Sequence, residues 1–162
     1  MPPKNVGSVE LMLDGMRDLG YLGYALMPME STFFMCKPDA VERGLVGEIL
    51  RRIETKGLVI KRAELRKIDE GTAKSHYAEH EGKPFFDELV SFISRSPALL
   101  TELSGPQDTW AIVRLLMGET NPAKASPGTI RGDLAIDIGE NLVHGSDSKE
   151  AAARELAIFF PN

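Results

Sequence analysis

The residues whose side chains could take part in the largest number of reactions lie near the carboxyl end of the chain. The segment 141–147 reads Asn-Leu-Val-His-Gly-Ser-Asp and combines a histidine with a glycine and three other polar residues. The imidazole of His144 can act as an acid, a base, a metal ligand or a nucleophile, and a pKa near neutrality does not choose among these roles. The neighbouring residues therefore decide which of these roles is favoured.

The residues that follow His144 favour a site for an anion. Gly145 permits a tight turn and the close approach of a bulky group, and the Ser-Asp-Ser run at 146–148 contains residue types that begin helices. A helix is predicted at 149–156, so His144 should lie beside its positive end. Glu155 on this helix can reach back to the imidazole and fix its tautomer. The pattern favours attack by His144 on a phosphoryl group.

Phosphate must be held by side chains in this protein, because the sequence lacks the usual backbone motifs for it. No Gly-x-x-x-x-Gly-Lys-Ser/Thr motif occurs, and no Gly-x-Gly-x-x-Gly run follows a predicted strand. The cations in rigid predicted settings are Lys37 at the end of a strand, Arg114 on a helix and Arg131 in a loop.

The elements that position these side chains alternate along the chain. Strands are predicted at 32–37, 58–68, 98–103, 134–138 and 142–143. Helices are predicted at 46–56, 69–80, 84–93, 106–117 and 149–156. The segment 119–132 lacks apolar periodicity and is predicted to be an ordered functional loop. This order is typical of an α+β sandwich in which helices cover one sheet.

The composition predicts one soluble domain. The chain has 162 residues, 43% of them hydrophobic and 27% charged, with no apolar run long enough to span a bilayer. A single cysteine and the lack of a secretory signal predict a cytoplasmic location. The net charge of −5 argues against a nucleic-acid binder.

The first 30 residues are predicted to be an extension to a domain at 31–162. Apolar residues recur at helical spacing within 9–16, which indicates a short amphipathic helix. The following segment, 21–28, is apolar and contains two tyrosines. It is either a native packing arm or a remnant upstream of the true start.

Three further residues have simpler interpretations. His76 and His80 lie four apart on a predicted helix, but two ligands do not make a closed metal site, so both are predicted to lie on the surface. Cys36, in an apolar strand, is predicted to be a buried thiol without a redox role.

Six motifs, in order along the chain, resemble those of the nucleoside diphosphate kinase family. They are Lys-Pro-Asp-Ala at 37–40, Arg-Gly-Leu-Val-Gly-Glu-Ile at 43–49, Lys-Pro-Phe-Phe at 83–86, Gly-Glu-Thr-Asn-Pro at 118–122, Pro-Gly-Thr-Ile-Arg-Gly-Asp at 127–133 and Asn-Leu-Val-His-Gly-Ser-Asp-Ser at 141–148. The resemblance runs from about Thr32 to Phe160. It implies a ferredoxin-like βαββαβ core with a four-stranded antiparallel sheet.

The resemblance also implies a ping-pong phosphotransferase. His144 would take the terminal phosphoryl group from a nucleoside triphosphate and pass it to a diphosphate. Tyr77 would lie near the imidazole, and Ser146 and Glu155 would position it. Mg²⁺ would arrive on the nucleotide without direct protein ligands, assisted through water by Asp147.

The resemblance assigns the phosphates to five side chains. Lys37 would contact the transferred phosphoryl group, whereas Arg114, Thr120 and Arg131 would bind the more proximal phosphates. Asn141 would reach both the sugar and a phosphate.

Base recognition follows from the same resemblance. Phe85 matches the residue on which the base stacks, and Leu89 and Ile138 would add apolar contacts. Stacking that does not read base edges tolerates any nucleobase, so broad specificity is expected.

Family members assemble from a common dimer, which implies a hexamer here or alternatively a tetramer. The loop 119–132 would take part in trimer contacts, and the amino-terminal extension could replace contacts of a longer carboxyl tail found in other members. A different hypothesis is a catalytically weak member that serves as a regulatory or partner-binding subunit.

Overall fold

The computed structural model describes residues 29–161, so residues 1–28 of the extension predicted at 1–30 lie outside the described residues. The described strands are β1 (Glu30–Cys36), β2 (Val59–Lys67), β3 (Pro97–Gly105) and β4 (Val143–Gly145). The described helices are α1 (Pro38–Glu42), α2 (Val46–Thr55), α3 (Glu70–His76), α4 (Phe86–Ser94), α5 (Thr109–Met117), α6 (Ile130–Leu134) and α7 (Lys149–Phe159), with a 3₁₀ turn at Ala78–His80. None of these helices is long and apolar enough to cross a membrane.

The four described strands form one antiparallel sheet in the order β2-β3-β1-β4. This is the ferredoxin-like βαββαβ arrangement, with the helical pair α3 and α4 between β2 and β3 and with α7 after β4. The predicted α+β fold class is therefore confirmed.

The central strand β1 has a hydrophobic core on each of its faces. Successive side chains of a strand point to opposite faces. Phe34 and Cys36 pack in a core that includes residues of α2 and α5, whereas Phe33 and Met35 pack in a core that includes residues of α4 and α7. Burial on both sides explains why this strand is a continuous apolar run rather than an alternating one.

Several predicted elements are confirmed with small shifts at their ends. Helix α2 buries Ile49 and Ile53 and stops before Gly57, whose φ of 92° suits glycine. Helix α3 begins after Asp69, whose carboxylate accepts the backbone N–H of Thr72 at 2.9 Å. The predicted break between α3 and α4 is also present.

Three predictions of local structure are wrong. The predicted strand at 134–138 is absent: Leu134 ends α6 and Ile136 is 92% exposed. Helix α5 begins at Thr109 rather than Pro106, because Asp108 adopts a left-handed conformation with φ of 61°. Helix α4 begins at Phe86 rather than at residue 84.

The thiol of Cys36 is buried, as predicted. Burial, together with the nearby charge of Asp39, raises the pKa of Cys36 to about 12. The group is therefore a neutral thiol at physiological pH.

Candidate functional site

The short strand β4 fixes His144 at an edge of the sheet. His144 pairs with Met35 of β1, so its side chain lies on the face of the sheet that carries Phe33. The imidazole ring lies 6.0 Å from the ring of Phe33, centroid to centroid. Its side chain is 29% exposed, so one side of the imidazole is packed and the other is accessible to a ligand.

A buried carboxylate orients the imidazole from helix α7. The Nε2 atom of His144 lies 2.9 Å from Oε1 of Glu155, and the hydroxyl of Ser146 donates to Oε2 of the same carboxylate at 2.6 Å. Glu155 and Ser146 are 3% and 1% exposed. A carboxylate only accepts hydrogen bonds, so it favours the tautomer with the proton on Nε2 and the lone pair on Nδ1.

The charge of Glu155 is maintained by these contacts. Burial alone would raise the pKa of this carboxyl, but the hydrogen bonds and charge of His144, and then the hydrogen bond from Ser146, hold it below its usual value. Glu155 is therefore ionised at neutral pH and can stabilise positive charge on the imidazole.

Gly145 has a packing role that the sequence analysis did not predict. A side chain there would place a Cβ 2.6 Å from Sδ of Met117 and 3.2 Å from Val113. The absence of a side chain at Gly145 therefore lets β4 pack closely against α5. Ser148 caps α7 by accepting the backbone N–H of Ala151 at 3.0 Å.

A second group of polar residues surrounds Lys37. Its Nζ donates to Oδ1 of Asn141, and Nδ2 of Asn141 donates to the carbonyl of Thr120 at 2.8 Å. Burial lowers the pKa of Lys37 to about 8, against an opposing effect of Asp39. Lys37, Asn141 and Thr120 are therefore together, as the resemblance implies for phosphate and sugar contacts.

Asp39 is a site residue that the sequence analysis did not single out. It is 1% exposed, and its Oδ2 accepts the backbone N–H of Leu142 at 2.9 Å. Leu142 has a positive φ of 72°, which is strained for a residue with a branched side chain. Asp39 thus holds the strained backbone between Asn141 and β4. The signal was available in the Lys-Pro-Asp motif.

Arg131 is buried, and its guanidinium is hydrogen-bonded to backbone carbonyls of the protein. Its guanidinium donates to the carbonyls of Val143 at 2.7 Å, Gly118 at 3.0 Å and Asn141 at 3.2 Å. It is 4% exposed, and burial followed by the charge of Arg114 lowers its pKa to about 10. Arg131 therefore ties α6 to β4 and to the residue that follows α5.

Arg114 has fewer contacts than Arg131. It is half-buried on α5, and its Nη1 donates to the carbonyl of Gly145 at 3.4 Å. The two guanidinium groups thus add positive charge to the region of β4, and Arg114 keeps more donors free for a ligand.

A row of rings leads from His144 to Phe85. Centroid distances along it are 4.7 Å from His144 to His76, 4.6 Å to Tyr77, 6.2 Å to His80 and 5.6 Å to Phe85. Phe85 is 44% exposed at the start of α4. The exposed face of Phe85 is available for stacking. Burial raises the pKa of Tyr77 to about 12, so its phenol is neutral at physiological pH.

The remaining residues predicted for base contacts differ in exposure. Leu89 on α4 is half-buried, whereas Ile138, in the segment between α6 and β4, is 59% exposed.

His76 is buried, which contradicts its predicted place on the surface. It is 5% exposed, and neither ring nitrogen has a hydrogen-bond partner within residues 29–161. Burial, and then the charge of His144, lowers the pKa of His76 to about 3, with Glu155 opposing. The spacing from Ala73, a buried residue one turn earlier on α3, was the available signal.

The site offers no oxygen-rich set of ligands for Mg²⁺ among the described residues. Asp147 is exposed, and its carboxylate accepts a hydrogen bond from Ser148 at 3.3 Å. The one group in residues 29–161 that could share an ion consists of His76, His144 and Glu155. Two imidazoles and one carboxylate do not match the preference of Mg²⁺ for oxygen.

Comparison with known proteins places this geometry among enzymes of nucleotide metabolism. The family model for nucleoside diphosphate kinase matches residues 30–162. A nucleoside diphosphate kinase of Chloroflexus aurantiacus is 52% identical over 132 residues, which are 82% of this chain and 87% of the relative. One from Bacillus licheniformis is 54% identical over 132 residues, with 82% and 88% covered.

Solved structures show the same similarity. A halophilic nucleoside diphosphate kinase from Halobacterium salinarum, in complex with CDP, superimposes with a TM-score of 0.79 at 50% identity, covering 83% of this chain and 90% of that one. A nucleoside diphosphate kinase family protein from Babesia bovis also gives a TM-score of 0.79, at 45% identity, with 82% and 88% covered.

Proposed function

Because the chain belongs to the nucleoside diphosphate kinase family, and is thus a phosphotransferase between nucleotides, we propose that Nδ1 of His144 carries the phosphoryl group during transfer. One observation supports this above all others. The Nε2 atom of His144 is committed to the buried carboxylate of Glu155 at 2.9 Å, which leaves the lone pair on Nδ1. Nothing observed on the described residues favours the alternative of a regulatory subunit.

The proposed transfer has two half-reactions. In the first, the lone pair of Nδ1 forms a bond to the terminal phosphorus of a nucleoside triphosphate, and the bond from that phosphorus to the bridging oxygen breaks. The nucleoside diphosphate leaves with the electron pair. In the second, a terminal oxygen of another diphosphate attacks the phosphorus, and the phosphorus–nitrogen bond breaks.

The residues around His144 lower the barriers by positioning and by charge. Glu155 remains ionised and balances the positive imidazole ring of the phosphorylated state. Lys37 and Arg114 supply positive charge for the phosphates, and Asn141 holds the ammonium of Lys37 in place. Arg131, with its guanidinium committed to carbonyls, contributes by electrostatics and by holding β4.

A divalent cation is the expected cofactor of this family, and we propose Mg²⁺ bound to the nucleotide. When bound, it would neutralise phosphate charge and align the oxygens in both half-reactions. We assign to Asp147, whose side chain is exposed, a contact with this ion through water.

The position of phosphorylation can be tested directly by nuclear magnetic resonance. We expect the ³¹P spectrum of the phosphoenzyme to show a phosphohistidine at Nδ1. A phosphohistidine at Nε2 would mean that the contact with Glu155 breaks during transfer, and would overturn the tautomer assignment.

The contribution of Glu155 is testable by Glu155→Gln. The amide still accepts a hydrogen bond from Nε2 but loses the charge, and charge-assisted hydrogen bonds are worth about 1.5–3 kcal/mol. We expect the rate of phosphoenzyme formation to fall by roughly 10–100-fold. Glu150→Gln, in the exposed first turn of the same helix, is the matched control and should retain the wild-type rate. Equal rates in both variants would show that Glu155 has no electrostatic role.

Base binding by Phe85 predicts broad specificity. Stacking on an aromatic side chain is worth about 1–3 kcal/mol per base. Phe85→Ala should therefore raise the KM for purine and pyrimidine nucleotides alike, by roughly 5–150-fold. Ile136→Ala removes an apolar side chain that is 92% exposed and should leave KM unchanged. An effect confined to one base would mean that Phe85 reads identity rather than stacking.

We also propose a homo-hexamer in the cytoplasm. Edge strand β2 exposes Val59 and Leu65, at 51% and 61%, and α5 exposes Leu115 at 78%. Exposed apolar residues on an unpaired sheet edge favour association. Mass photometry should give six chains, and a monomer at micromolar concentration would overturn the proposal. The same measurement after deletion of residues 1–28 tests whether the extension takes part in assembly.

A further inference from the structure

His76, His144 and Glu155 lie together as three possible metal ligands, and the proposed phosphoryl transfer gives no role to His76. One ligand atom from each of these residues lies within 4.8 Å of the others. The separation is 2.9 Å from Nε2 of His144 to Oε1 of Glu155, and 3.7 Å from Nδ1 of His76 to the same oxygen. All three residues lie on rigid elements of the fold: α3, β4 and α7.

His76 is the unexplained member of this cluster. Its side chain is 2% exposed, and both ring nitrogens lack a hydrogen-bond partner among the described residues. An unsatisfied buried polar group costs about 1–3 kcal/mol, so a simple packing residue would serve better at this place. A neutral imidazole has one lone pair, which is the form in which histidine binds metals, and Nδ1 of His76 lies 3.7 Å from Oε1 of Glu155.

We propose that His76, His144 and Glu155 form a binding site for a borderline transition-metal ion of the Zn²⁺ class, separate from the Mg²⁺ that accompanies the nucleotide. Two imidazole nitrogens and one carboxylate oxygen are the ligand set that zinc accepts when it keeps a fourth position open. Mg²⁺ is disfavoured because it prefers oxygen ligands and retains its waters.

The observed distances require only small movements to accept such an ion. Metal–nitrogen and metal–oxygen bonds of about 2.0–2.2 Å in a tetrahedron place neighbouring ligand atoms roughly 3.3–3.5 Å apart. The separations of 2.9 and 3.7 Å to Oε1 of Glu155 bracket this value, whereas the two imidazole nitrogens, which lie within 4.8 Å of each other, would have to move closer together. Ser146 already holds Oε2 of Glu155, which leaves Oε1 as a single ligand atom. The 29% exposure of the His144 side chain provides access for the ion and a position for a water ligand.

Occupancy of this site would inhibit phosphoryl transfer. The ion would bind through the lone pair of Nε2 of His144, so the proton that was on Nε2 would move to Nδ1, and Nδ1 would have no lone pair with which to attack phosphorus. It would also take Oε1 of Glu155 away from the imidazole. The metal site rests on the three side chains alone, whereas this inhibition rests on the proposed role of His144.

The site is tested by metal binding to the full-length protein without nucleotide. Titration calorimetry with Zn²⁺ and visible absorption with Co²⁺ should show one ion per chain with the absorption of a tetrahedral site. His76→Leu and His76→Gln should each weaken binding by more than about 100-fold, since loss of even an outer hydrogen-bond partner costs 10–100-fold. His80→Leu is the matched control, because His80 lies nearby on the 3₁₀ turn, and should bind as the wild type does.

The inhibition is tested separately, by phosphoenzyme formation at a buffered free Zn²⁺ concentration. The wild type and His80→Leu should lose activity with Zn²⁺, whereas each His76 variant should keep its own zinc-free rate. Unchanged Zn²⁺ affinity in both His76 variants, or weakened affinity in His80→Leu alone, would overturn the site. A wild type that binds Zn²⁺ but forms no phosphoenzyme without the metal would instead contradict the proposed function and leave the site standing.

Discussion

Replacing His144 with alanine will abolish the phosphoenzyme and lower nucleotide phosphoryl transfer by roughly 10⁴- to 10⁶-fold, the range seen when a nucleophile is removed. Among the described residues of the site, His144 is the partly exposed imidazole that a buried carboxylate orients. His76 is neutral but buried, and Lys37 is committed to Asn141. The measurement is intact mass after incubation with Mg²⁺ and ATP, together with the steady-state rate.

The fold should survive this substitution. The side chain of His144 is 29% exposed, and β4 is held through its backbone pairing with β1. His80→Ala is the matched control, because His80 is also a partly exposed histidine of the ring row. It should form the phosphoenzyme in full. Transfer retained by His144→Ala, in a sample with native circular dichroism, would exclude the phosphohistidine.

Arg131→Met is expected to lower the free energy of unfolding by about 3 kcal/mol. The guanidinium donates to three backbone carbonyls, and its loss leaves those acceptors unpaired at a cost of about 1–3 kcal/mol each. Removing a buried charge relieves a desolvation penalty, which offsets part of that cost. Urea unfolding at a fixed protomer concentration measures the difference.

Arg114→Met is the control that separates stability from catalysis. Arg114 is half-buried and makes one long contact, 3.4 Å from Nη1 to the carbonyl of Gly145. Both variants lose a positive charge near the phosphates and should transfer more slowly. Only Arg131→Met should unfold at a lower urea concentration. Equal stability of the two variants would show that the carbonyl contacts of Arg131 contribute little.

The sequence predicted those parts of the site that depend on local pattern. The serine cap of the last helix and the reach of Glu155 back to His144 follow from spacing along eleven residues. The strand around Phe34 was predictable because a β-branched residue and two aromatic residues begin an apolar run that ends just before Lys37 and Pro38. Such features need no knowledge of distant partners.

Other features depend on contacts between distant segments and were not predictable. His76 resembles a surface histidine on a polar helix until α7 and β4 cover it. Arg131 shows its cationic chemistry in the sequence, but its three carbonyl partners lie 10–13 residues away along the chain. Hydrogen bonds between residues that far apart along the chain form only when the whole domain has folded.

The misassigned strand at 134–138 has a similar cause. Alternating apolar residues there match the pattern of a strand, but the segment does not join the sheet, and β4 occupies the position beside β1. Helix α6 was missed because it has five residues, too few for a helical period to show.

The central claim is ping-pong transfer through His144, and intact mass spectrometry tests it most directly. The protein is mixed with Mg²⁺ and ATP, freed of nucleotide, and measured before and after addition of GDP or a deoxynucleoside diphosphate. We predict a gain of one phosphoryl group per chain, lost to either acceptor and absent in His144→Ala. A folded sample that binds nucleotide and transfers phosphate without ever gaining this mass would contradict the claim.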